Sequence, residues 1–333
     1  MLKKIVFLGT GGTIAGAAAN ACDNVGYIAA QVGVGQLLQA IPSLQQALGD
    51  RVFLSEQVAQ VDSKDIGWEH WRDLAQRIQQ HLSQPEVDSV VVTHGTDTLE
   101  ETAFFLSLVL PRKLLAEKPI VLTCAMRPAS SLAPDGPQNV LDAVVVARSA
   151  GARGVLVVCA GSVHCARDLQ KVHPYRLNAF DSGDAGPLAY VEEGRVRWLH
   201  AYAATEMPVS DYPLAALSKD AWPRVEIITS YAGATGATVR ALCASPVGAE
   251  QPLQGIVVAG TGNGTIHQDL ESALRDVQAQ GVRVVRSTRC AYGCVVVGAE
   301  DGDFPDSQGL SPVKARVALM LELMSQKAAA ATF

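Results

Sequence analysis

Apolar residues in this chain fall in short runs that stop at glycine and threonine. Residues 5–8 lead into Gly9-Thr10-Gly11-Gly12, residues 89–93 into His94-Gly95-Thr96-Asp97, residues 119–124 into Ala125-Met126-Arg127-Pro128, and residues 154–159 into Ala160-Gly161-Ser162. A run that is apolar on both faces is what a parallel strand covered by helices on each side requires. Amphipathic stretches at 68–82 and 99–110 lie between the runs and are long enough for crossover helices. The pattern predicts an α/β protein of two doubly wound domains: a larger N-terminal one with a parallel-rich sheet and a smaller, Rossmann-like C-terminal one. In such sheets ligands collect at the carboxyl ends of the strands, where the Gly/Thr clusters stand.

The periodicity breaks once. Residues 203–223 contain Pro208, Pro213 and Pro223 among mixed polar positions, which reads as a linker. The expected division is 1–203, a linker at 204–223, and 224–333. Strand–helix alternation then restarts at 225–229, 255–259 and 282–286. A final helix is expected over 312–325, with Val317, Met320, Leu321 and Met324 as its core stripe, and a frayed tail at 328–331.

Composition narrows the function. The chain has 333 residues, with 27 Lys and Arg against 33 Asp and Glu and a net charge of −6. An acidic chain without a basic run excludes nucleic acid and anionic membrane as expected partners. Its seven cysteines form no CxxC pair and no Cys/His cluster at zinc spacing, so no metal is expected, and free thiols point to a reducing compartment. Lys3 and Lys4 imitate the start of a signal peptide, but the apolar run behind them is too short, and no stretch is long enough to span a membrane. A soluble, cytoplasmic protein is expected.

Two strand ends carry candidate chemistry. The turn Thr10-Gly11-Gly12-Thr13-Ile14-Ala15-Gly16 has the glycines of a phosphate loop, but the third glycine of the dinucleotide fingerprint falls on Ile14, and no Walker lysine follows. What remains is Thr10 and Thr13 on a turn that glycine permits: a nucleophile at a strand end, or hydroxyls that cap a turn. The second cluster, Thr93-His94-Gly95-Thr96-Asp97-Thr98-Leu99-Glu100-Glu101, adds a carboxylate. It reads either as a helix start, capped by Asp97 or Thr98 with Glu101 closing a capping box, or as a second reactive threonine. His94 is a further candidate base.

These two segments resemble the signatures of the bacterial-type L-asparaginases, the asparaginase/glutaminase family. Ala125-Met126-Arg127-Pro128, Asp135-Gly136-Pro137-x-Asn139, Arg167-Asp168-x-x-Lys171, Gly262-Asn263-Gly264, Val285-Arg286-Ser287-x-Arg289 and Lys314-Ala315-Arg316 follow in the family's order, so the resemblance spans essentially the whole chain. It implies that Thr13 attacks the side-chain amide carbon to form a β-aspartyl-enzyme, with the Tyr27 hydroxyl beside it. It also implies a second triad of Thr96, Asp97 and Lys171, in which Lys171 polarises the Thr96 hydroxyl and Asp97 also receives the substrate α-amino group. Ser63 corresponds to a residue on the α-carboxylate and Ala125 to a backbone contact to the amide. Asn263 and Glu300 correspond to groups delivered by the C-terminal domain of a neighbouring subunit, in a homotetramer built as a dimer of dimers. No cofactor is implied. Where the family often has glutamine after the Ser63 equivalent this chain has Lys64, which would either strengthen the hold on the substrate carboxylate or pair with Asp62 or Asp65 at the surface.

The expected reaction is hydrolysis of L-asparagine to L-aspartate and ammonia. A dual glutaminase-asparaginase differs by one methylene of substrate, a discrimination of only ~1–3 kcal/mol. A non-catalytic amino-acid-binding protein on the same fold is the alternative from another class. A threonine hydroxyl needs a base, and Tyr27 and Lys171 are both candidates. Backbone N–H groups of the two glycine turns would supply an oxyanion hole.

Overall fold

The computed structural model describes residues 2–202, 214, 217, 222–244, 252–298 and 304–330. The chain divides into two compact units, Met1–Leu214 and Ala215–Phe333. Most of the expected linker at 204–223 lies outside the described residues.

The first unit is built on an eight-stranded sheet. Its strands are β1 (Lys4–Gly11), β2 (Val52–Val61), β3 (Val87–Thr93), β4 (Ile120–Thr123), β5 (Val155–Cys159), β6 (Ser162–Cys165), β9 (Ala189–Glu192) and β10 (Arg195–Trp198), in the order β10-β9-β6-β5-β4-β3-β1-β2. A separate two-stranded ribbon pairs β7 (Gln170–Lys171) with β8 (Phe180–Asp181). From β2 to β5 all pairings are parallel, whereas β6, β9 and β10 add antiparallel. Ile5, Val6, Phe7 and Leu8 are fully buried because both faces of β1 are covered. On one face α1 (Val34–Gln39), α2 (Leu44–Leu48) and α6 (Gly136–Arg148) pack over Ile5, Phe7, Val91, Val121 and Leu156. Helices α3 (Trp68–Leu82) and α4 (Leu99–Val109) pack against β2, β3 and β5, and α5 (Arg112–Glu117) follows α4.

The parallel part reads β2-β1-β3-β4-β5. Strand order therefore reverses between β1 and β3, and in open α/β sheets ligands gather beyond the carboxyl ends of the strands at such a point. Those ends carry Thr13 and Thr96.

The second unit holds a parallel three-stranded sheet, β11 (Arg224–Thr229), β12 (Leu253–Gly260) and β13 (Arg283–Thr288), paired in sequence order. Helices α7 (Ala237–Cys243) and α8 (Gln268–Ala279) share a core with Ile256, Val258 and Val284. Helix α9 (Pro312–Ala330) packs against all three strands and buries Val317, Met320, Leu321 and Met324. Its assigned bounds run beyond the predicted end at 325. Among the described residues no helix is long and apolar enough to cross a membrane.

Candidate active site

Two glycines bring the threonine-bearing turns together. Gly11 and Gly12 sit at φ 103° and 81°, a backbone region that side chains with a Cβ rarely adopt. A Cβ on Gly12 would lie 2.2 Å from Gly95 Cα, so the turns after β1 and β3 touch backbone to backbone. Thr10 Oγ1 donates to the Thr93 carbonyl at 3.1 Å and ties the same two strand ends.

Thr13 is buried, and its Oγ1 lies 2.6 Å from the Tyr27 hydroxyl. Tyr27 is delivered by a loop whose base is closed by Ala17 and Ile28, which exchange backbone hydrogen bonds of 3.0 and 2.9 Å. Its ring packs on Gly16, where a Cβ would come within 2.8 Å of Tyr27 Cδ2.

The second group is a closed cluster. Lys171, on β7, donates from Nζ to Thr96 Oγ1 at 2.8 Å and to Asp97 Oδ1 at 2.6 Å. Thr96 Oγ1 also faces Asp97 Oδ1 at 3.4 Å. Thr96 is buried and Lys171 mostly so, while half of the Asp97 side chain is open to solvent and to an incoming cation. Ser63, buried in the turn after β2, accepts from Asp97 N at 3.1 Å through Oγ, and its carbonyl accepts from Thr98 Oγ1 at 2.7 Å. The expected capping box of α4 is therefore absent: Thr98 is the N-cap residue, but its hydroxyl is spent on Ser63 and makes no cap bond. Glu100, without an assigned role in the sequence reading, accepts from Lys171 N at 3.1 Å and anchors the strand that presents the ammonium. Its place in the second signature cluster carried no role of its own, because an acidic residue in the first helical turn is accounted for equally well by the helix dipole.

His94 is fully buried. Its Nδ1 lies 2.7 Å from the Gly95 carbonyl, which can only accept, so Nε2 accepts from Thr102 Oγ1 at 3.0 Å, and that oxygen accepts from Trp71 Nε1 at 2.9 Å. Burial pushes the imidazole down to about 4, so it is neutral and fully partnered at physiological pH, which removes it as a candidate base. Because the unfolded histidine takes up its proton near 6.5, unfolding binds protons between pH 6.5 and 4, and stability falls as pH drops through that window. The loss attributable to His94 reaches about 3 kcal/mol at pH 4. Urea midpoints across this range should fall less steeply in His94→Gln than in the parent; equal slopes would contradict the assignment.

Lys64 forms the surface ion pairs that the sequence allowed. Its ammonium pairs with Asp65 at 2.7 Å and Asp62 at 3.2 Å, with the side chain 61% exposed. Lys64→Gln is expected to leave KM for substrate within about fivefold of the parent, the most that the ~1 kcal/mol of an exposed ion pair could move it; a larger shift measured at fixed pH would return it to the carboxylate.

Ala125 is fully buried in the turn after β4. Asn263, in the second unit, is engaged with Val296: its Nδ2 donates to that carbonyl at 2.9 Å and its Oδ1 accepts from that N–H at 2.7 Å. Glu300 lies outside the described residues. Among the described residues, no group of three or more His, Cys, Asp or Glu side chains is placed to hold a metal ion.

Comparison with known proteins is consistent along the whole chain. Residues 4–203 match the family model described as asparaginase, N-terminal, and residues 224–332 the glutaminase/asparaginase C-terminal domain. A glutaminase-asparaginase of Pseudomonas fluorescens biotype A is 37% identical over 329 residues, covering 97% of this chain and 86% of the relative. L-asparaginase 2 of Escherichia coli strain K12 is 36% identical over 332 residues, covering 98% and 90%. The crystal structure of a probable cytoplasmic L-asparaginase from Campylobacter jejuni superposes with a TM-score of 0.86 at 35% identity, covering 96% of this chain and 95% of that one.

Proposed function

The chain belongs to the asparaginase/glutaminase family, and from that premise we propose that it hydrolyses L-asparagine to L-aspartate and ammonia with Thr13 as nucleophile. The observation that carries this reading is the 2.6 Å pairing of Thr13 Oγ1 with Tyr27, beside the Thr96–Lys171–Asp97 cluster.

Thr13 Oγ1 attacks the amide carbon, and its proton passes through the Tyr27 hydroxyl to the leaving nitrogen, which departs as ammonia when the C–N bond breaks. The β-aspartyl ester is then attacked by water, and Thr13 recovers its hydroxyl. Thr96, held by the Lys171 ammonium, orients that water. Backbone N–H groups of the two glycine turns would supply the oxyanion hole, a contribution of roughly 10²–10³ each in such sites. Asp97 takes the substrate ammonium, and Ser63 and the adjoining backbone take the α-carboxylate.

Ammonia release from L-asparagine and L-glutamine tests the proposal directly. Turnover of asparagine alone supports it, comparable turnover of both identifies a dual enzyme, and binding of either without ammonia leaves a non-catalytic binder. The dual reading has specific support in the glutaminase-asparaginase relative. Seven free cysteines favour a reducing, cytoplasmic setting.

The assembly we propose is a homotetramer, a dimer of dimers in which Asn263 and Glu300 complete a neighbour's pocket. Val52, Phe53 and Leu54 in the first unit, and Tyr231, Tyr292, Val296 and Val297 in the second, are large apolar side chains left open to solvent in the single chain. Mixing Thr13→Val with Glu300→Ala, each inactive alone, should rebuild about a quarter of the sites after random subunit exchange in a two-fold dimer. No recovery after exchange confirmed by mass-labelled subunits would dismiss the shared site.

A further inference from the structure

The turn that presents Ala125 is held by a helix that does not cap itself. Asp135 is the N-cap residue of α6, where an aspartate ordinarily accepts from the first-turn N–H groups of its own helix, yet its side chain makes no such bond. It reaches back instead: Oδ2 accepts from Met126 N and Oδ1 from Arg127 N, both at 2.9 Å. One turn along the helix, buried Asn139 donates from Nδ2 to the Cys124 carbonyl at 2.9 Å and to Asp135 Oδ2 at 3.3 Å, while its Oδ1 accepts from Ala160 N at 3.0 Å. Peptide groups on both sides of Ala125 are thus fixed by two side chains of one helix, and the end of β5 is tied to them. The same helix end abuts the nucleophile's segment. A Cβ on Gly136 would lie 2.9 Å from Ile14 Cγ1 and 3.4 Å from Ala125 Cβ.

We propose that Asp135 and Asn139 are positioning residues for the leaving group: they hold the Ala125 carbonyl where it accepts from the substrate's side-chain NH₂ as the C–N bond breaks. The inference rests on the function proposed above and on Ala125 as its backbone contact to the amide. The chemistry is directional. The leaving nitrogen presents N–H donors, so the matching backbone group is a carbonyl. A carboxylate that accepts from two successive N–H groups is charge-assisted and admits little movement of the peptide it grips. Asparagine at position 135 would offer oxygen to one N–H and NH₂ to the other, setting donor against donor and displacing the turn.

Two substrates separate this role from a general structural one. L-Asparagine loses ammonia by C–N cleavage. The β-methyl ester of L-aspartate loses methanol by C–O cleavage through the same Thr13 β-aspartyl ester, and its leaving oxygen has no N–H to give the Ala125 carbonyl. In Asp135→Asn, kcat/KM for asparagine is expected to fall about 30–100-fold, and for the ester to stay within about threefold of the parent, since a misplacement near 1 Å costs on that order. Should that variant fail to fold, Asp135→Ser keeps one acceptor without the opposed donor, and asparagine turnover alone should fall by a smaller factor. Equal losses on both substrates, or an unchanged asparagine rate in folded protein, would overturn the assignment. A parent enzyme inactive on asparagine would instead reject the function itself, an outcome read before any variant is made.

Discussion

Thr13→Val is expected to abolish turnover while leaving the fold intact. Valine keeps the branched shape in a buried position and removes only the hydroxyl oxygen that pairs with Tyr27. Tyr27 is only partly buried, so its hydroxyl can turn to water once that partner is gone. Without Oγ1 no β-aspartyl ester forms, and water must attack the amide directly with help from the oxyanion donors alone. The loss should exceed about 10⁴-fold in kcat, the scale seen when a covalent nucleophile is removed. Ammonia release, the melting temperature and mass spectrometry of acid-quenched protein give three independent readings. A trapped aspartyl adduct, or more than about one per cent of parental activity in Thr13→Val, would place the nucleophile elsewhere.

Thr96→Val carries the second large effect, about 10³-fold in kcat. The Lys171–Asp97 pair at 2.6 Å survives the substitution, so the α-amino contact and the local fold remain. What disappears is the hydroxyl between Lys171 and the reacting water. Because Thr96 and Lys171 act as one unit, Lys171→Met should be about as damaging, and the double variant no worse than either single one. Independent, additive losses would show that the two side chains serve different steps. A fall confined to KM would assign Thr96 to binding.

The Thr13 and Thr96 segments were legible in the sequence because the strands before them are covered on both faces, which leaves an uninterrupted apolar run ending at glycine. Strand β2 was missed for the opposite reason. It is the sheet's edge, and Val52, Phe53 and Leu54 remain exposed at 40%, 39% and 47%, so neither alternation nor a continuous buried run marks it. The antiparallel strands β6, β9 and β10 were missed because polar and charged residues (Ser162, His164, Glu192, Arg195, Arg197) interrupt them, whereas β4, equally short, is apolar up to its closing Thr123. Asp135 and Asn139 stood in a noticed motif without a role, since an aspartate before Gly-Pro already reads as a helix cap; which N–H groups it serves depends on where β4 ends in space.

Local pattern was sufficient for strand and helix type along most of the parallel core, for the glycine turns that allow positive φ, and, through resemblance, for the candidate reactive residues. Their assembly belongs to the tertiary structure. Thr96 and Lys171 lie 75 positions apart and meet at 2.8 Å only because a two-residue ribbon brings the lysine back over the end of β3. Gly12 abuts Gly95 only because β1 and β3 are neighbours at the point where strand order reverses, a consequence of the path each crossover helix takes. The sequence likewise left Lys64 open between the substrate and the surface, whereas folding put Asp62 and Asp65 within 3.2 Å of its ammonium. Hydrophobic periodicity reports which faces a segment buries, and the partner across a crevice is decided by chain topology, which no local period encodes.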